Sequence, residues 1–347
     1  MTTLRTPDVQ PPAYPTQSWY VAATSDEVSA TPLARRALDT SLVIYRTSDG
    51  AAVVLEDRDA HNPYPLSRGR VEHDLIVSSY SGFAYGSDGV CVRVPTQDDV
   101  PYGARVRCFP VREHDGLVWV WFGEPGLATL RKPPRAPWLT DDGWTTIGDE
   151  WTTDANVLLL HENFADITHV AVVDPEIAPP VLSAGPVPLL EVEVSETSVS
   201  FRREYPPAPL AAWHADLLGV SPDEAFAQHE EGRFLSPGLW VNSWRVAAGD
   251  GQATATFRFT HALTPIDRTS TRHVWWVSRD FSPGAAKSAP LVPLFTDYYR
   301  AVHEILETMQ GVLSLDGPRT DVSVAADAAA LQVRRIVGRM VADEHFT

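Results

Sequence analysis

The sequence predicts an α+β protein of two domains, an all-β unit followed by an antiparallel sheet packed with helices. Three observations carry the prediction. Short β-type runs separated by turn signals fill the first third of the chain, and the proline-rich stretch Lys132-Pro133-Pro134-Arg135-Ala136-Pro137 then interrupts it. Beyond that stretch, alternating strand patterns are interleaved with helical ones. At 347 residues, 44% of them hydrophobic, there is enough chain for two separate cores. The boundaries read as 1–130 for the β domain and 138–347 for the α+β domain.

The β-type runs are Ser41 to Tyr45, Val53 to Leu55, Leu75 to Ser78 and Leu117 to Phe122. Ser48-Asp49-Gly50, Ser87-Asp88-Gly89 and Glu113-His114-Asp115-Gly116 supply the turns between them. After the linker, Asn156 to Val173 is apolar at helical spacing. Leu189 to Arg203, Gly238 to Ala247, Ala253 to Leu263 and Arg272 to Val277 read as strands, and Leu291 to about Gly311 and Ala325 to about Ala342 as helices.

A net charge of −17, spread along the chain, argues against nucleic acid or an anionic membrane surface as partner. There is no long apolar run, and Met1 to Pro15 is polar without the features of a signal peptide, so a cytoplasmic protein is expected. Cys91 and Cys108 do not form a C-x-x-C pair and read as small buried residues.

Two stretches carry chemistry. The first runs Leu55-Glu56-Asp57-Arg58-Asp59-Ala60-His61, then Pro65-Leu66-Ser67-Arg68-Gly69-Arg70-Val71, then Ile76-Val77-Ser78-Ser79-Tyr80-Ser81-Gly82-Phe83. It resembles the cluster-binding frame C-P-H-R-x-x-P-L-S-x-G-x-V and V-C-P-Y-H-G-W of Rieske-type non-haem iron oxygenase α-subunits. The resemblance extends to Ser18-Trp19-Tyr20-Val21-Ala22 at the start and to Leu263-Thr264-Pro265 and Ser278-Arg279-Asp280-Phe281 later in the chain. The sequence is similar to the vanillate and dicamba demethylases among those subunits. The resemblance implies a Rieske-like β domain, a C-terminal helix-grip domain with an enclosed pocket, and a head-to-tail trimer.

A Rieske cluster is held by thiolates on one iron and imidazoles on the other. The positions of the pattern are filled here by Asp59, His61, Ser78 and Ser81, so one donor of the four survives. The expectation is a degenerate site in which these side chains hydrogen-bond one another and tie the loop tips together.

The second stretch, from Asn156 to Pro175, resembles the family's iron helix, (D/E)-N-x-x-D-x-x-H-x4-H. Glu162, Asn163, Asp166 and His169 match it, and Asp174 stands where the second histidine would be. Asp166 and His169 lie three apart, which on a helix places them on one face as an Asp–His pair. The third ligand position falls on Val302, His303 or Glu304, depending on alignment. A residual mononuclear metal at His169, Asp174 and Glu304 or His303 therefore stays open.

Function is expected to follow from the lost donors: no cluster, no cofactor, and a metal-independent cyclase or isomerase acting on a hydrophobic natural-product intermediate, with cycloaddition as one form. Asp166, His169, Asp174, His303 and Glu304 are the candidate acid–base groups, and Asn163, Glu162, Trp244 and Trp276 the candidate pocket residues. The alternatives are a non-catalytic subunit or ligand-binding regulator beside an intact homologue, and an oxidoreductase built on an atypical mononuclear metal.

Overall fold

The computed structural model describes residues 14–247, 253–317 and 322–344, so most of the polar N-terminal stretch lies outside the described residues. Ten strands build the first domain: β1 (Trp19–Thr24), β2 (Leu33–Ala37), β3 (Thr40–Arg46), β4 (Ala52–Glu56), β5 (Arg70–Glu72), β6 (Leu75–Val77), β7 (Ala84–Tyr85), β8 (Cys91–Arg93), β9 (Val111–His114) and β10 (Leu117–Trp121). They form three small antiparallel sheets, ordered β1-β10-β9, β2-β3-β4 and β5-β6-β7-β8.

The turn signals lie between paired strands. Asp115 and Gly116 take φ of 55° and 75° between β9 and β10, as a tight hairpin requires. Gly89 turns between β7 and β8 at φ 75°, where a Cβ would come 2.3 Å from the Val106 carbonyl oxygen. The proline-rich linker is pinned to the first of these hairpins, because Arg135 Nε and Nη2 each donate to the Asp115 carboxylate at 2.7 Å and the Ala136 amide joins them at 2.8 Å.

The second domain is one seven-stranded antiparallel sheet. Its strands are β11 (Thr145–Thr153), β12 (Glu191–Val194), β13 (Val199–Ala208), β14 (Phe226–Ser236), β15 (Leu239–Ala247), β16 (Ala253–Pro265) and β17 (Thr271–Arg279), in the order β11-β17-β16-β15-β14-β13-β12. The first domain covers one face of the sheet over β15 to β17, and helices cover the other face. Leu239, Val241, Ala262 and Val274 pack against Trp19, Val21, Trp119 and Trp121 of the first domain. The alternate residues, Trp240, Trp244, Phe257, Leu263, Trp275 and Val277, face the helices.

Those helices are α1 (Val157–Ala165), α2 (Val170–Val173), α3 (Ala212–Leu218), α4 (Ala285–Ser288), α5 (Leu291–Asp316) and α6 (Ala328–Glu344). The predicted helix over Asn156 to Val173 is two helices. Asp166 leaves helical geometry at φ −133°, ψ 108°, and its carboxylate accepts from both the amide and the hydroxyl of Thr168 at 2.9 Å. A short polar side chain has captured the backbone that would have continued the helix. In this domain strands β11 and β14 and helices α3 and α4 were not foreseen.

Candidate functional site

The helix-facing side of the sheet lines a partly open pocket with about 800 Å³ free of protein atoms, the solvent at its mouth included. Its walls are aromatic and aliphatic: Phe164, Ile167, Val170 and Ile177 from the α1–α2 segment, Trp213 from α3, Trp244, Phe257 and Phe259 from the sheet, and Phe295, Tyr298 and Tyr299 from α5. Polar groups interrupt this lining at His214, Gln228, Glu230, Asn242, Ser243 and His261.

The sheet positions α1 by hydrogen bonds. Asn242 Nδ2 donates to the Phe164 carbonyl at 3.0 Å, Thr271 Oγ1 to the Ala155 carbonyl at 2.8 Å, and His161 Nε2 meets the Pro237 carbonyl at 2.9 Å. Phe164 is thereby held with its ring stacked on His261, centroids 3.7 Å apart.

Behind His261 runs a file of imidazoles. His261 Nδ1 contacts His273 Nε2 at 3.0 Å, His273 Nδ1 contacts His303 Nε2 at 2.8 Å, and His303 Nδ1 ends on Thr153 Oγ1 at 2.9 Å. Burial pushes His261 and His273 well below the ordinary histidine range, and neighbouring histidines add to the effect. Burial alone brings His303 and His214 to about 4, and His161 sits at about 4 because burial outweighs its carbonyl partner. The file is therefore neutral at pH 7, and His273 and His303 each donate at one nitrogen and accept at the other.

A second polar cluster lies on β13 and β14. Arg203 Nη1 donates to Glu230 Oε2 at 3.1 Å, and Tyr205 Oη donates to the same oxygen at 2.7 Å. Burial pushes the Glu230 carboxyl up, although Arg203 and Tyr205 draw it back.

The residues singled out in the sequence scatter around this cavity. Trp244 lines it, and His303 stands behind it at the far end of the imidazole file. Val302 and His303 point inward, whereas Glu304 is exposed. Glu162 forms a bidentate pair with Arg334 on α6 at 2.7 Å, and Trp276 packs on the opposite side of the sheet. Asn163 Nδ2 is buried with no hydrogen-bond partner among the described residues and does not line the cavity.

The Asp166 and His169 side chains do not pair. His169 Nδ1 meets the Asp166 backbone carbonyl at 2.7 Å, and burial lowers its pKa against the pull of that carbonyl and the nearby carboxylate. Asp174 closes a turn, its Oδ1 accepting from the amides of Glu176 and Ile177 at 3.1 and 3.2 Å. Sequence reasoning missed Gln228, Glu230 and His261. The available signal was the alternation Phe226, Gln228, Glu230, Gly232, Phe234, which places polar residues on the buried side of a strand.

In the first domain, three of the four cluster positions converge. Asp59 is 1% exposed and accepts from Tyr85 Oη at 2.7 Å, from the His61 amide at 3.0 Å and from Ser81 Oγ, with the Ser78 hydroxyl as a further donor. Burial pushes its carboxyl up, but these hydrogen bonds together outweigh burial and hold it below its usual range. The His61 ring does not join them; it stacks on Phe83 with centroids 5.1 Å apart.

Fold and site frame together define an α-subunit of the iron–sulfur oxygenase type. The C-terminal domain model of vanillate O-demethylase oxygenase matches residues 153–343, and the Rieske [2Fe-2S] domain model matches residues 18–110. A putative iron–sulfur subunit of a toluene-4-sulfonate monooxygenase system from Comamonas testosteroni is 31% identical over 94% of this chain and 97% of its own. The vanillate O-demethylase oxygenase subunit of a Pseudomonas species is 27% identical over 95% and 96%. Dicamba monooxygenase bound to 3,6-dichlorosalicylic acid superposes with a TM-score of 0.83 at 26% identity, covering 95% of this chain and 98% of that one. The chain belongs to the Rieske-type oxygenase subunits of the vanillate O-demethylase kind.

These relatives correct the functional expectation. They are oxygenase components, so the metal-independent cyclase or isomerase is withdrawn, and with it the cofactor-independent reading. The family works with iron: one relative is described as an iron–sulfur subunit, and dicamba monooxygenase has been solved with non-heme iron.

This chain's donors do not fit those groups. Hard oxygen atoms, already engaged with one another, stand where soft thiolates and an imidazole are needed for a cluster. At the mononuclear position Val302 offers no donor, the His303 ring is engaged at both nitrogens by Thr153 and His273, Glu304 is exposed, and Asp174 Oδ1 accepts from two backbone amides, while His169 Nε2 is buried without a partner among the described residues. Among the described residues no group of three or more His, Cys, Asp or Glu side chains is placed to hold a metal ion.

Two outcomes follow. The combined variant D59C, S78C and S81H should take up iron and sulfide on reconstitution well above the unaltered chain, read by metal analysis and visible absorption; equal uptake would show that the missing donors are not what matters. The buried histidines set the second. A base whose folded pKa lies below its unfolded value of 6.5 binds fewer protons folded than unfolded, so its contribution to stability is whole above pH 6.5 and drains away as the pH falls toward about 4. Urea midpoints should therefore drop between about pH 7 and about pH 5, and a flat profile would contradict the neutral file.

Proposed function

We propose that the chain serves a multicomponent oxygenase system as the subunit that takes up the organic substrate, and that this substrate is a small, largely apolar molecule held in the cavity of the second domain. The observation that carries the reading is the aromatic enclosure between Phe164, Trp244, Phe257 and Phe295, which an apolar ring fills with little polar desolvation. The relatives' names agree as far as the ring, since vanillate, dicamba and toluene-4-sulfonate are small aromatic compounds, each with an acid group besides.

The chain's own residues bind and orient. The α1–α2 segment forms one wall, α5 another, and the imidazole file fixes His261 by hydrogen bonding from behind. The unpaired cysteines Cys91 and Cys108 accord with a cytoplasmic setting, and among the described residues no helix is long and apolar enough to cross a membrane. We also infer the head-to-tail trimer that family membership suggests.

Titration of the full chain with small aromatic hydrocarbons, followed by tryptophan fluorescence, tests the cavity. Binding should be saturable and should weaken at least about tenfold in I167W, which fills the space from the α1–α2 wall, with little change in melting temperature. An unaffected affinity would place the ligand elsewhere. Light scattering on the purified protein should give three chains per particle, and a monomer at all concentrations would remove the trimer from the reading.

A further inference from the structure

The cavity contains more polar capacity than the protein satisfies. Gln228 and Glu230 are at most 1% exposed and Trp244 is 5% exposed, and all three line the cavity. Arg203 and Tyr205 both converge on Glu230 Oε2, leaving Oε1 without a partner among the described residues. Gln228 donates through Nε2 to the carbonyls of Ala208 and Pro209 at 3.1 and 3.2 Å, so its Oε1 is likewise unmatched. Trp244 Nε1 is a buried donor with no acceptor.

A buried polar atom without a partner has given up its hydrogen bonds to water and gained none in return. With His214 Nε2, four such atoms line one pocket, and they call for a ligand that meets them. Strand register specifies which ligand. Arg203, Glu230 and Trp244 are direct cross-strand neighbours on β13, β14 and β15, which sets an acceptor oxygen and a donor N–H side by side in one row. A neutral hydroxyl is the smallest group that donates one hydrogen bond and accepts another at a single atom.

We propose that the cavity selects small apolar or aromatic molecules bearing one neutral hydroxyl, which donates to Glu230 Oε1 and accepts from Trp244 Nε1, and that it disfavours carboxylates and sulfonates. The inference rests on the cavity reading above and adds the functional group. An anion placed there would meet a carboxylate oxygen, because Arg203 is not in the lining and its Nη1 already serves Glu230 and Tyr205. Gln228 Oε1, one pair of residues further along β14, offers a place for a second donor on the ligand.

Calorimetric titration of the full chain with p-xylene, 4-methylanisole, p-cresol and 4-methylbenzoate, which share a methylphenyl frame, tests this. p-Cresol should bind about tenfold more tightly than p-xylene, with 4-methylanisole between them and 4-methylbenzoate weakest. W244F should narrow the gap between p-cresol and p-xylene, and the paired variant R203M/E230L, which removes both buried charges together, should close it. Should the paired variant fail to fold, W244F alone decides. Equal affinity for p-cresol and p-xylene, or tightest binding by 4-methylbenzoate, overturns the hydroxyl selection and leaves the cavity reading standing. Failure of all four to bind removes both.

Discussion

Where the central sheet is covered, over β15 to β17 by the first domain and on the opposite face by the helices, its polar side chains have no solvent, and the rest of this molecule is arranged around that constraint. On the face toward the first domain, Thr264 donates to the Val21 carbonyl, Thr260 receives the Trp138 indole N–H, and Arg272 reaches the carbonyls of Val21 and Ala22 together with Glu27 and Glu150. The contacts that satisfy the sheet therefore also dock the domains. On the helical face, the imidazole file ends on Thr153 and the Arg203, Tyr205 and Glu230 cluster closes on itself. The atoms left over on Gln228, Glu230 and Trp244 sit in the cavity wall, where a bound molecule completes the pattern.

The first domain solves a different problem. Its loop tips belong to a family in which metal ligation ties them together, and here a carboxylate does so. Asp59 gathers Ser78, Ser81, Tyr85 and the His61 amide into one buried hub. Charge-assisted hydrogen bonds are the stronger kind, which explains how the frame persists with another donor set. Family membership and local chemistry thus point different ways at this position: the matching domain model is that of a [2Fe-2S] protein, and these four residues are three oxygen donors plus one stacked imidazole.

Much of the architecture was legible from pattern alone. The hairpin at Asp115 and Gly116, the strands β3, β4, β10 and β15 to β17, and the long helix α5 follow from turn chemistry and from hydrophobic periods of two and 3.6. The unforeseen strands break the pattern for physical reasons. β11 is an edge strand with a polar exposed middle and a glycine at position 148, and β14 buries Gln228 and Glu230 where apolar residues are the rule. Helix α3 is seven residues long, too short to show a period. The continuous helix over Asn156 to Val173 failed because periodicity cannot register the capture of Thr168 by Asp166.

What the sequence determined by itself is the two-domain division of labour, the identity of the cluster frame and the replacement of its donors, since these depend on residue type at fixed spacing. What only the tertiary structure decided is which side chains meet. His261, His273 and His303 come from two strands and a helix, and Arg203, Glu230 and Trp244 from three adjacent strands, so their contacts exist only once strand register is set. The inward turn of His303 and the outward turn of Glu304 show the same dependence at the scale of one residue: a helix rotates successive side chains about 100° apart, and packing against the sheet chooses which of them is buried.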